Sequence, residues 1–507
     1  MKKRLPFLIA CSLWITAASA QQKSKTGTQP TSSATQTNPS SAVQKQEGAF
    51  RVVFNTNSYN SGLAYLCYHM GKNLNIEDSA MMVAVGNSGQ AVFKGSRKLP
   101  GGIYAIVFPG KRFSIDFFVD KDQEIAVSAD TNNLQNAVIE GAKENVMFQQ
   151  YQKFVSEKGS KMQQERMAYN DSRTKADSVL HEKNYNMHSM ALNQYRDSVI
   201  TNYPESMMSV MLKTMKEPEI INKNPKTRQD SLDNYYYYKS HYWDGVTFMD
   251  ERVIRTPFFQ PKLERYYREI VSQAPDSINA DIDYRLLFAR NSPEMFKYLL
   301  NWFTDEYINP KIMGQDAVYV HLYEKYHSKG LTPWLNEKQM KTVTDRAYMV
   351  MSNLIGVRAS NLEMVDSTGR MKPLYDLKAD YTLVIFWDPT CGHCKEEIPR
   401  IDSIYKASWK ARNVRIYSVL SDNDKFKDWV NYIKEKKIGE WTHVYETKEM
   451  EKAVAAAQRP SFRQLYDVIS TPTLVLLDKD KNIIGKKLGW EQLNDFLKVK
   501  WKGNAEK

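Results

Sequence analysis

Two cysteines three positions apart, Cys391 and Cys394, lie in the stretch LVIFWDPTCGHCKEEIPRI, residues 383–401. Their type and spacing fit three chemistries: thiol–disulfide exchange, half of a metal site, or a structural disulfide. The neighbouring pattern discriminates among them. YTLVIFWD reads as a buried strand, and residues 391–412 read as a helix that begins at the cysteines. A helix N-terminus presents unpaired N–H groups and the positive end of the dipole. A thiolate placed there is stabilised, so its pKa falls. Cys391, nearer the open end, is the expected nucleophile. Cys394, one turn further in, is expected to attack the resulting mixed disulfide, closing a Cys391–Cys394 redox disulfide. Gly392 leaves room for a partner chain. His393 can add positive charge or a hydrogen bond near the Cys391 sulfur. A zinc site needs four ligands; this part of the chain offers no second C-x-x-C and no paired histidines, so no metal or other cofactor is expected.

The cysteine inventory supports exchange chemistry. The 507-residue chain has four cysteines. Cys11 sits in an N-terminal segment that has the form of an export signal: MKKR, an apolar run LPFLIACSLWITA, and a small-x-small site ending at Ala20. Cleavage after Ala20 is expected. The competing reading takes Leu8–Cys11 as a lipoprotein box with Cys11 lipidated. Cys67, within an apolar strand run, is expected to be a buried, inert thiol. An exported protein stapled by disulfides usually carries more cysteines, in even number. One close pair and one distant thiol fit catalysis better.

The elements that must position the pair can be read from composition and periodicity. Residues 21–47 are Ser, Thr, Gln and Pro with little apolar content, and are expected to be a disordered tether. Residues 48–140 hold short β-rich runs punctuated by turn clusters, which predict an antiparallel β-sandwich-like or barrel-like module. Residues 141–350 carry apolar side chains at three- and four-residue spacing, predicting a mostly helical module. Its tyrosine-rich stretch NYYYYKSHYW (234–243) is expected to pack between helices. His321, Glu324 and His327 fall three apart, but successive three-residue steps on an α-helix drift by about 60°. They and His241 are therefore read as structural. Residues 355–502 alternate strand and helix, ending in the hairpin TLVLLDKDKNIIGKKLG and a closing helix, as in an α/β domain with a central sheet. The net charge is +12, yet Lys and Arg are interleaved with Asp and Glu, so no nucleic-acid partner is expected. No later apolar run reaches membrane-spanning length.

FWDPTCGHCKEEIP resembles the active-site stretch of thioredoxin-fold proteins, and in detail that of the exported TlpA/ResA-like thiol–disulfide oxidoreductases. Phe386 and Trp387 precede the cysteines at the family spacing, Pro399 stands where the family kinks its first long helix, and ISTPTLVLLD matches the segment with a cis Thr-Pro bond. The resemblance covers about residues 355–502. It implies that Thr471 and Pro472 lie beside Cys391 and bind the partner backbone, with Trp387 also on the substrate side. It further implies that Glu397 serves as acid/base for Cys394. Ile385 departs from the pattern, occupying the position where cytoplasmic thioredoxins keep a buried aspartate. The Gly-His dipeptide is that of protein disulfide isomerase, near about −180 mV against about −270 mV for thioredoxin, whereas the wider motif resembles a reductase branch. A peroxiredoxin frame, P-x-x-x-T-x-x-C, is absent. The β-rich, helical, TlpA-like order resembles exported proteins of Bacteroidetes-type bacteria. The resemblance implies a periplasmic protein with disulfide-containing envelope partners and a membrane electron donor of the CcdA/DsbD type. Oxidation or isomerisation on the same fold, or a non-catalytic envelope role, are the alternatives.

Overall fold

The computed structural model describes residues 49–505. The expected export signal with Cys11, and the expected tether at 21–47, lie outside the described residues. Compactness divides the chain into two units. One takes the described residues up to Val271 together with Leu287–Phe296; the other takes Ser272–Leu286 and everything from Lys297.

The first unit opens with β1 (Phe50–Thr56), β2 (Leu63–Met70), β3 (Asn73–Met81), β4 (Val83–Val85), β5 (Ser88–Gly95), β6 (Gly102–Val107), β7 (Ser114–Val119), β8 (Glu124–Ser128) and β9 (Val138–Glu140). They form two sheets, ordered β4-β5-β1-β8-β9 and β3-β2-β6-β7. Val52 and Phe54 of β1, Leu66 of β2, Phe93 of β5, Tyr104 and Ile106 of β6, Phe117 of β7 and Val127 of β8 share one core. Both sheets feed this core from alternate positions, as in a β-sandwich. One pairing corrects the antiparallel expectation: β1 and β8 run parallel, Arg51 opposite Glu124 through Asn55 opposite Ser128. Between them the chain builds all four strands of the second sheet, together with β4 and β5 of the first. It returns to β1 from the same end, by the long crossover that a parallel neighbour requires. Cys67 is buried and unbridged in β2, and burial pushes its thiol up to about 11.

Helices follow: α1 (Lys143–Asp171), α2 (Lys175–Asn202), α3 (Met207–Met215), α4 (Arg228–His241) and α5 (Phe259–Arg265). Near the start of α1, the fully buried Asn145 mimics a strand. Its Oδ1 accepts from the Phe118 N–H at 2.7 Å and its Nδ2 donates to the Phe118 carbonyl at 2.9 Å, satisfying the edge of β7. After α4, Tyr242 and Trp243 are buried with Tyr266 in an aromatic cluster. The Lys262 ammonium lies 4.6 Å from the centre of the Tyr242 ring and donates to the Lys216 carbonyl.

The chain continues through α6 (Pro275–Ala289), α7 (Pro293–Tyr307), α8 (Asp316–Leu322) and α9 (Glu337–Met351). Just after α8, Tyr323–His327 widens into a π-helical turn. The histidines find separate partners: His321 lies 2.9 Å from an Asp283 oxygen, and the buried His327 2.9 Å from the Thr304 hydroxyl. Among the described residues no cluster of metal-ligating side chains occurs.

The second unit then builds β10 (Tyr381–Trp387), α10 (Gly392–Ile404), β11 (Val414–Leu420), α11 (Phe426–Glu435), β12 (Thr442–Val444), α12 (Lys448–Ala456), α13 (Phe462–Leu465), β13 (Thr473–Leu477), β14 (Ile483–Lys486) and α14 (Trp490–Ala505). The sheet order is β12-β11-β10-β13-β14. β10 is central, parallel to β11 and antiparallel to β13. Its apolar run is continuous because both faces are covered. Leu383, Ile385 and Trp387 pack under α10, α11 and α14, while Val384 and Phe386 pack against Ala359, Leu362, Met364 and Tyr466. Within this unit α8 is tied to β14 by an ion pair between Lys486 and Asp316, both almost fully buried. Among the described residues no helix is long and apolar enough to cross a membrane.

Replacing Asn145 with Leu leaves the Phe118 N–H and carbonyl buried without partners. Each such group costs roughly 1–3 kcal/mol. The variant should therefore lose on the order of 2–4 kcal/mol, read as an earlier denaturant transition of the first unit.

Candidate active site

β10 ends at Trp387, and the next residues turn the chain into α10. The Asp388 carboxylate accepts from the Thr390 backbone N–H at 2.6 Å and from its hydroxyl at 2.7 Å, closing an Asx-type turn. The Cys391 N–H donates to the Asp388 carbonyl at 3.2 Å. Cys391 then takes the N-cap position of α10, normally filled by Ser, Thr, Asp or Asn. Its sulfur accepts from the Cys394 backbone N–H at 3.4 Å.

The two cysteines are unbridged and differ in environment. Cys391 is partly exposed. Cys394 is fully buried among Ile398, Leu493 and Leu497. Burial works against a Cys391 thiolate, but hydrogen bonding from the Thr471 side chain, the Cys394 thiol and the Cys394 and His393 backbone N–H groups outweighs it and holds the thiol below its ordinary range. The Thr471 carbonyl, 3.3 Å from the sulfur, is an acceptor that serves only the protonated form. For Cys394, burial dominates and pushes the thiol up to about 12, with the neighbouring Cys391 adding to the rise. The pair is thus one ionisable thiol at the surface and one held neutral beneath it.

Opposite Cys391 stands the Thr471–Pro472 peptide, which is cis. It leads directly into β13, which pairs with β10, so strand register brings it to the helix N-terminus. The residues expected from sequence fall into two groups around this point. Cys391, Cys394, Thr471 and Pro472 converge. Glu397 lies one turn below Cys394, half-buried, with its Oε2 enclosed and unpartnered and its Oε1 directed toward Gly489 at the start of α14. Two side chains are placed differently. Trp387 is fully buried and donates from its indole to Ser418 Oγ at 2.7 Å. The expectation that it touches substrate is corrected: alternation along β10 turns it to the face roofed by α10, where it supports the site from beneath. The His393 imidazole is exposed and enters no described hydrogen bond, while its backbone N–H is one of the donors that lower the Cys391 thiol.

Three residues under the site were not found from sequence. Ser418 of β11 receives the Trp387 indole and lies 3.0 Å from Nδ1 of His443 in β12, whose Nε2 lies 2.8 Å from the Ile438 carbonyl. Burial pushes the His443 imidazole down to about 4, so it is neutral. Tyr432 of α11 packs edge-on to Trp387 at 5.2 Å with its hydroxyl buried and unpartnered. Isolated polar residues in strand and helix runs carry no spacing signal that would single them out.

In the reduced protein, iodoacetamide near neutral pH should modify Cys391 and spare Cys394 and Cys67. The alkylation rate should rise with pH to a plateau centred below the ordinary thiol range, because the Cys391 thiol is lowered while the other two are raised to about 12 and about 11. Peptide mass spectrometry across a pH series checks this; equal labelling of Cys391 and Cys394 contradicts it.

The family described as "Thioredoxin-like" matches residues 379–483, and one described as "Domain of unknown function (DUF5106)" matches residues 174–353. The thiol-disulfide oxidoreductase ResA of Bacillus thuringiensis subsp. konkukian is 29% identical over 147 residues, which cover 28% of this chain and 77% of that protein. A crystal structure described as a domain of a possible thiol-disulfide isomerase from Cytophaga hutchinsonii is 37% identical, covering 30% of this chain and 97% of that one, with a TM-score of 0.26. A thioredoxin-like protein from Bacteroides caccae is 22% identical, covering 56% of this chain and 98% of that one, with a TM-score of 0.44. With a Cys391–Cys394 pair opening α10 across from a cis proline, the C-terminal domain of this chain is a TlpA/ResA-like domain of thioredoxin fold, and the protein is a thiol–disulfide oxidoreductase.

Proposed function

We propose that the protein is an exported disulfide reductase of the periplasm, acting on disulfide-containing envelope proteins. The observation that carries this reading is the asymmetry of the pair: an accessible, readily ionised Cys391 above a buried Cys394 held at about 12. The Cys391 thiolate attacks one sulfur of a substrate disulfide. A Cys391–substrate disulfide forms, the substrate S–S bond breaks, and the first substrate sulfur leaves as a thiolate. Cys394 then loses its proton and attacks the Cys391 sulfur, forming the Cys391–Cys394 disulfide and expelling the second substrate thiolate. Two electrons pass from the protein dithiol to the substrate, whose two thiolates end protonated.

The second step needs a base, because a thiol near 12 does not ionise by itself at neutral pH. Glu397, one turn from Cys394 with an unpartnered buried oxygen, is the group we assign to take that proton and return it on release. Thr471 and Pro472 offer the substrate backbone a pairing edge beside Cys391. The resulting disulfide is reduced again by a membrane thiol donor of the CcdA/DsbD type. Export rests on the signal expected at residues 1–20. The Gly392–His393 dipeptide favours a second reading, net oxidation or isomerisation by the same centre.

Insulin reduction by the full chain tests catalysis: wild type should turn over, Cys391→Ala should fall to background, and Cys394→Ala should accumulate a mixed disulfide. Equal, negligible turnover by wild type and Cys391→Ala removes the enzymatic reading. Glu397→Gln should slow turnover on the order of ten- to a hundredfold, within the usual reach of general acid–base catalysis, with its largest effect at the resolving step in rapid-mixing experiments. The reduction potential of the full chain separates the two directions. A value near the roughly −270 mV of thioredoxin supports reductase; one near the roughly −120 mV of DsbA supports oxidase.

A further inference from the structure

We propose that Arg346, on α9 of the helical stretch upstream of the thioredoxin-like sheet, is a positioning residue for disulfide exchange: it grips Asp467 and so fixes the segment that presents Thr471 and Pro472 to Cys391. The proposal rests on Cys391 being the attacking thiol.

The grip is bidentate. Both terminal nitrogens of the Arg346 guanidinium donate to the Asp467 carboxylate, Nη1 to Oδ1 and Nη2 to Oδ2, the latter at 3.2 Å. The guanidinium is itself oriented from behind, with Nη2 donating to the Ile308 carbonyl and to Asn309 Oδ1, each at 3.2 Å. Such a planar fork sets direction as well as distance, which a lysine or an apolar contact does not. The Lys487 ammonium closes the other side of Asp467 at 2.7 Å from Oδ2. Both Arg346 and Asp467 are buried. Burial opposes an ionised Asp467, yet its two cationic partners hold the carboxyl below its usual range, so the pair is charged.

Asp467 is also the point where the chain changes course. It takes a left-handed backbone, φ 52°, immediately after α13 and Tyr466. Asp is among the few non-Gly residues that adopt this conformation readily, and here its side chain is held by Arg346 and Lys487. A second tether from the end of the same helical stretch, Asn353 Nδ2 to the Tyr466 carbonyl at 3.2 Å, secures the preceding residue. From Asp467 the chain runs through buried Val468 and exposed Ile469 and Ser470 to Thr471, whose carbonyl accepts from Cys391. The hydrogen bonds of Val468 and Ile469 lie within the segment itself, to the Arg463 and Asp467 carbonyls. The loop is thus held from both sides: beyond Pro472 by the pairing of Thr473 with Phe386, and at its root by Asp467, four residues before the Thr471 carbonyl. General attachment of the helical stretch is served by the Lys486–Asp316 pair on β14, whose Lys486 ammonium also donates to the Asn353 carbonyl but makes no hydrogen bond to Asp467. The family of unknown function that matches residues 174–353 includes both Arg346 and Asn353. We thus assign that region a part in exchange chemistry.

The test uses the full chain as Arg346→Leu, Arg346→Lys and the double variant Asp316→Leu with Lys486→Met. Three quantities are read: kcat and KM for insulin, the pH midpoint of Cys391 alkylation, and thermal unfolding. Arg346→Leu should lower kcat/KM at least tenfold and move the alkylation midpoint upward, with Arg346→Lys recovering part of both. The double variant, which replaces one buried pair by apolar residues, should keep both redox readouts as in wild type. Folded Arg346→Leu with unchanged kcat/KM and midpoint overturns the proposal. Equal redox losses in the double variant overturn it too, because attachment alone would then suffice. Should Arg346→Leu fail to fold, Arg346→Lys decides by the same two redox readouts. Absence of insulin turnover in wild type would instead refute the reductase reading, leaving the alkylation midpoint to judge Arg346.

Discussion

The Cys391 sulfur and the Thr471 carbonyl meet at 3.3 Å across 80 residues of chain. One partner caps a helix; the other precedes a cis proline at the mouth of a strand. For them to meet, β10 and β13 must be neighbours and antiparallel, α10 must start where β10 ends, and the loop before β13 must be held to one side. The central sheet, its two apolar faces and the ion pair at Asp467 all serve that juxtaposition. It also sets reactivity, because the donors that lower the Cys391 thiol come from the helix start and from the Thr471 side of the cleft.

Asymmetry between two chemically identical side chains is the second consequence. Three positions of α-helix carry the chain from the rim to the core, so Cys391 sees N–H donors while Cys394 sees Ile398 and Leu493. Desolvation and hydrogen bonding then drive the ionisation of the two thiols apart. The buried layer beneath is polar where it must be. Trp387, Ser418 and His443 form a hydrogen-bonded chain with His443 neutral, a satisfied network that fixes the floor of the site without introducing charge.

The helical stretch around α8 and α9 belongs to the same compact unit as the thioredoxin-like sheet. Two buried ion pairs join them. Buried pairs are weak evidence for stability, since apolar residues of similar volume often do as well. What they supply is direction, and at Asp467 direction matters because the next few residues form one wall of the active site.

Much of this was legible in the chain itself. A strand run, a C-x-x-C at a helix start, Pro399 and a Thr-Pro before LVLLD are local signals, because helix starts, buried strands and cis prolines leave marks in a few consecutive residues. The β-rich and helical character of the upstream parts was legible for the same reason. Other features depended on which residues meet across long separations. The parallel β1–β8 pairing is a matter of crossover, invisible to strand periodicity. Trp387 went to the core rather than the substrate face because the register of β10 beneath α10 decides its side. Ser418, His443, Tyr432 and Arg346 are single polar residues whose roles exist only through partners elsewhere in the fold. Sequence alone determined the close cysteine pair and the strand and helix that carry it, because these are local signals. Tertiary structure decided which thiol is exposed, what lies beneath it and what holds its partner loop, because burial and hydrogen-bond geometry are properties of packing.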